Sequence, residues 1–437
     1  VSAHRAGADA GAPTALQTVL LLPPSPHPPL TPVLLRALTA SPELTSLHLD
    51  GLAGWRALAG AEGGRGSARS WLCDVGVLDL AAGASPLDAL EAAAEAADAA
   101  GLVAETLPAG EIDKALPAGA RLELPRRAAA LWAPEGGGWL DTGAAGDAAV
   151  AAAARAGAAV WRGWALAGWG DAGSHWRLRE GAPDGVPERH AEVERLVLPA
   201  DGGGAAFGVA FAAGGAAPAA AARAWTRASC PQLPAIVCHG LAEPVPDAPA
   251  GGPAERWALA PASGGGVVLR WPTPPLDARA AADAAAAGLA ACAAVVPAMV
   301  GARVGGTRVD AARCLTTADG APLLGWAPLP GEAGRSLLLG IACGGTAGAL
   351  TGDAAAPALA DGAAAMLAGA WPGEAWLDPA RAAAGAVSTP VAGDPWELDR
   401  VVPESPYARE EADDAARDAA EAAARDGGGT ERRRREA

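Results

Sequence analysis

Apolar and polar positions alternate through "WLCDVGVLDL", Trp71 to Leu80, as a half-buried strand requires. The next stretch, "SPLDALEAAAEAADAAG", changes to the wider spacing of a helix. Ser85 suits its N-cap, Pro86 its first turn, Asp88 the positive end of its dipole, and Gly101 its end. A short strand and a small helix begun near Gly110 follow in "LVAETLPAGEIDKALP", then two strand pieces around a glycine turn in "AAALWAPEGGGWLD". "DTGAAGDAAVAAAARAG" predicts a helix and "AAVWRGWALAG" a strand. "AGWGDAGSHWRLREG" reads as a hairpin.

Residues 195–270 are strand-rich, with the apolar runs "RLVLPA", "PAIVCHG" and "GGVVLRW" bounded by turn residues. A helix ending at Pro297, the strand "RSLLLGIACGG" and the helix "APALADGAAAMLAG" complete the apolar pattern. Before it, "PPSPHPPLTP", Pro23 to Pro32, excludes helix and central strand, because proline lacks the N–H donor and fixes φ. "TALQTVLLL" ahead of it suits a short strand or part of a transit peptide, and too few arginines precede it to favour the latter. Helix and strand alternate along the chain, so the fold class is α/β or α+β.

Composition changes this picture little. Hydrophobic residues make up 51%, much of it alanine. Lys114 is the only lysine and asparagine is absent, a bias expected of a GC-rich coding sequence. The formal charge of −16 argues against nucleic acid as a partner, which needs a basic surface. Arg432 to Arg435 in the charged tail read as a solvated end. No apolar run suits a bilayer span, and a soluble, intracellular monomer is expected. Six scattered cysteines form no CxxC pair and no cluster with His at metal-ligand spacing; Cys230, Cys238 and His239 come nearest and read as structural.

Most catalytic motifs are missing. Gly168, Gly170 and Gly173 spell GxGxxG, but polar-alternating "SHWRLRE" follows where a dinucleotide loop needs a helix. There is no GxSxG, and the six histidines lack a nucleophile at a family-like spacing.

The stretch from Ala312 to Gly369 carries more. A strand with Cys314 leads to an Asp-Gly turn in "RCLTTADGAPLLGW". An apolar strand Pro322 to Gly325, a Pro-rich loop, the strand "LLLGIACGG" and an alanine helix follow. Glycines between a buried strand and a helix let backbone N–H groups approach a ligand closely. Alone, Cys314 reads as a buried thiol, a metal ligand or a cofactor anchor.

In this order, "ADGAPLLGWAP", "LLLGIACGG" and "APALADGAAAML" resemble the C-terminal region of FAD-dependent oxidoreductases of the D-amino-acid oxidase superfamily. The likeness is to the monomeric sarcosine oxidase and pipecolate oxidase branch. "VGVLDLA", "AETLPAGEIDKALP", "ALWAPEGGGWLDTGAAGDAAVAAAARAGAAVWRG" and "EAWLDPARA" extend it over roughly Leu44 to Ala382. The resemblance implies an FAD-binding Rossmann-like domain interleaved with a strand-rich substrate domain. It implies oxidation of a C–N bond in a secondary amine or amino acid. Cys314 would fall on the residue that carries covalent flavin in the sarcosine oxidase branch. Gly344, Gly345 and Thr346 would line the flavin, and Arg270 or Arg313 would meet a substrate carboxylate.

Two departures qualify it. The family's opening strand–GxGxxG–helix unit is not found in residues 1–35, so the Rossmann-like domain reads as incomplete at its N-terminus. The chain begins with Val1, which reads as a processed start or a fragment. Val268 stands where relatives place an oxygen-activating lysine, with Arg270 two residues on as a strand-end arginine. The alternative is therefore a non-catalytic homologue with a binding or structural role.

The expected organisation is a Pro-rich segment 1–35, an oxidoreductase-like region 36–402 and a charged tail 403–437. Flavin-binding parts fall near 36–80, 130–200 and 312–382, and substrate-domain parts near 81–129 and 201–311.

Overall fold

A computed structural model describes residues 2–3, 17–22, 33–61, 71–82, 84–117, 120–162, 166–171, 175–180, 190–199, 217–226, 234–239, 256–262, 266–272, 290, 292–297, 304–316, 322–326, 337–341, 354–368 and 370. Within it, Gly76 splits the expected strand Trp71–Leu80 in two. Leu72–Cys73 and Val77–Ala81 join different sheets, and Gly76 between them has φ 76°. That left-handed conformation suits glycine. A Cβ there would also meet the Trp132 ring at 2.4 Å. The alternating pattern extends across the break because both halves are buried, so it gives no warning of the turn.

Val77–Ala81 is buried along its whole length, as befits a central strand. It pairs in parallel with Ala235–His239 and antiparallel with Ala129–Ala133. These belong to an eight-stranded sheet that runs from Val304–Thr316 through Ala217–Thr226, Gly266–Pro272 and Arg256–Ala262 to that centre, and ends on Glu105–Pro108. The strand-rich middle expected from the sequence forms half of it.

A second sheet has Gly137–Leu140 between Val33–Arg36 and Leu72–Cys73. A third sets Leu196–Pro199 parallel to Leu337–Ile341, with Leu323–Trp326 antiparallel beyond. Gln17–Leu22, within the segment expected to be irregular, is a strand parallel to Ala159–Arg162. The GxGxxG stretch is a hairpin, as its context implied: Gly168 faces Arg179 and Gly170 faces Arg177.

Four helices are described: α1 (Pro42–Ala61), α2 (Ala84–Ala99), α3 (Thr142–Arg155) and α4 (Ala356–Leu367). Ser41 caps α1, its Oγ accepting the Leu44 N–H at 3.2 Å, and Pro42 fits the first turn. Asp141 caps α3 by accepting from the N–H groups of Gly143 and Ala144. Gly101, at φ 75°, ends α2, as the sequence required.

The main core lies between the Val77–Ala81 region of the large sheet, the strand at 33–36 and helices α1 and α2. Leu34, Leu35, Leu38, Leu52, Val77, Leu131 and Val237 belong to one buried cluster. Each such aliphatic side chain contributes about 1.5–3 kcal/mol through burial. α4 docks on α1 where Gly51 and Gly54 leave no side chain: a Cβ on Gly51 would lie 1.9 Å from the Ala354 carbonyl oxygen. This mixed α/β architecture agrees with the expected fold class.

Candidate functional site

The residues singled out in the sequence fall on two sheets. Cys314 and Arg313 lie on Val304–Thr316, the edge strand of the large sheet. Cys314 is opposite Ala219, and the register shifts between that pair and Ala221 opposite Asp310. Arg313 therefore sits in a bulge, a device that re-aims side chains at sheet edges.

Arg270 departs from expectation. It is no strand-end residue but is paired on both sides within Gly266–Pro272, facing Arg223 on one neighbour and Ala258 on the other. The ladder continues past it to Pro272.

Arg223 in turn faces Arg308. Three arginines, at 308, 223 and 270, thus occupy one row of directly opposed positions across three adjacent strands. The same row continues through Ala258 and Val237 to Asp79. Directly opposed residues share a face of the sheet. Neither Arg223 nor Arg308 carries a local sequence signal; only the pairing of distant strands brings them beside Arg270. One step along this face, Trp225 lies between Gly306 and Val268.

Asp79 shows what that face meets under the core. Its carboxylate is 1% exposed and accepts from Arg36 Nε at 2.9 and 3.0 Å and from Arg36 Nη2. A bidentate pair of this kind holds both groups in a fixed plane. His48, on α1, lies beside the same arginine. Its Nδ1 is buried and finds no hydrogen-bond partner among the described residues. Burial, followed by the Arg36 charge, pushes the imidazole down to about 4, against a hydrogen bond with the Arg36 backbone. His48 is therefore neutral at physiological pH.

The glycine turn expected to line a cofactor, Gly344, Gly345 and Thr346, lies outside the described residues. The strand leading to it is Leu337–Ile341, parallel to Leu196–Pro199. The carboxyl ends of both strands run into glycine-rich sequence, "CGG" from Cys343 and "DGGG" from Asp201. In open α/β sheets, ligands bind outside the carboxyl ends of parallel strands, and glycines let backbone approach a phosphate or ring edge.

Lys114 is exposed and ion-paired with Glu111 on the short helical turn Ile112–Ala115. Cys73 is half-buried; burial pushes its thiol up, with the Asp74 charge acting in the same direction, so it stays protonated. Among the described residues, no helix is long and apolar enough to cross a membrane.

No protein-family model matches the sequence, and no curated protein matches it. Solved structures do resemble it. NikD, described as an unusual amino acid oxidase essential for nikkomycin biosynthesis, is similar with a TM-score of 0.62 at 16% identity, over 84% of this chain and 91% of that one. L-proline dehydrogenase from P. horikoshii gives 0.61 at 15% identity, over 82% and 87%. Glycine oxidase from Geobacillus kaustophilus gives 0.59 at 19% identity, over 81% and 88%. The chain has the fold of these enzymes, which bears out the fold expected from the family resemblance.

Proposed function

We propose that this chain is an FAD-dependent oxidoreductase acting on the C–N bond of a small secondary amine or amino acid. The observation that carries this reading is the fold it shares with amino acid oxidases and a proline dehydrogenase. The parallel pair Leu196–Pro199 and Leu337–Ile341, opening into glycines, adds support. When bound, FAD supplies the two-electron acceptor for C–N oxidation. The backbone N–H groups of Gly344, Gly345 and Thr346 would hold its edge, and Cys314 would be the candidate covalent anchor. Arg270 or Arg313 would orient the substrate carboxylate by charge-assisted hydrogen bonds.

A sarcosine-like preference with dioxygen as acceptor has weaker footing. The only lysine, Lys114, is committed to Glu111 at an exposed turn, and Val268 stands opposite Trp225 in the sheet. A fixed cation beside the flavin stabilises developing negative charge, and Val268 supplies none. Slow reaction with dioxygen follows, and the same observation favours the second reading, a homologue without turnover.

An absorbance scan of the purified protein, repeated after acid precipitation, tests the proposal. Flavin absorbance is expected, and colour that stays with the pellet assigns a covalent bond, which Cys314→Ala should abolish. A colourless protein that takes up no added FAD would overturn the reading.

A further inference from the structure

We draw no further inference here: the strongest candidate, the buried cluster of His48, Arg36 and Asp79 between α1 and the strands Val33–Arg36 and Val77–Ala81, is closed on itself by the Arg36–Asp79 ion pair and leaves one unpartnered nitrogen, His48 Nδ1, with no second group among the described residues that would name a ligand.

Discussion

Arg36 and Asp79 join two sheets through a buried bidentate ion pair. Arg36 ends the strand Val33–Arg36 of the small sheet, and Asp79 is the middle residue of the fully buried strand Val77–Ala81. Breaking such a pair by removing one partner strands the other charge in a dry interior. Asp79→Asn should therefore cost about 3–5 kcal/mol, read as a lower urea midpoint. The double variant Arg36→Met with Asp79→Leu should recover most of that loss, because no lone charge remains.

His48 makes stability depend on pH. Its folded-state value of about 4 lies below the ordinary imidazole value of 6.5, so the unfolded chain binds the proton more readily. The contribution is complete above pH 6.5 and is lost as pH falls through that value towards 4. Urea unfolding between pH 8 and pH 4.5 should show a smaller loss in His48→Gln than in the parent. Equal slopes for the two proteins would contradict the assignment.

Two glycines of α1 should respond in opposite directions. Gly51 supports the helix–helix seam, and the Cβ of Gly51→Ala would press on the backbone of Ala354. That variant should lower the melting temperature. Gly60, on the same helix, has nothing within 4 Å of its Cβ position. Gly60→Ala should stabilise by about 0.5–1 kcal/mol through helix propensity.

Asp141 accepts from two free N–H groups at the start of α3, at 3.0 and 3.2 Å. Asp141→Ala should cost about 1 kcal/mol. Asp141→Ser, which keeps an acceptor, should retain most of the stability when both are compared by chemical denaturation.

Local signals in the sequence marked α2, α3 and α4, whereas α1, Pro42–Ala61, went unread. Gly101 closes α2 as expected, but the helix reaches back to Ala84, so Ser85 lies within it and not at its N-cap; the glycines after Ala133 divide the strands Ala129–Ala133 and Gly137–Leu140 where expected. Pairings between distant segments were not legible. Asp79 reads as one polar position in an apolar run, and its partner stands 43 residues away. Arg270 reads as a strand end, and only the register with Arg223 and Arg308 makes it the flank of a row. Gly76 was hidden because burial on both sides of the turn mimics one continuous strand. The family likeness supplied the order of these elements, which composition alone could not.

The seam between α1 and α4 also governs how the protein is made. Ala354 belongs to the same core cluster as Leu34 and Leu52, which leave the ribosome some 300 residues earlier. The layer that holds Leu34 and Leu52 therefore waits with an open apolar flank until some 300 further residues have been translated. Closure is a late event in biosynthesis, and the interval before it is when a nascent chain most needs a chaperone.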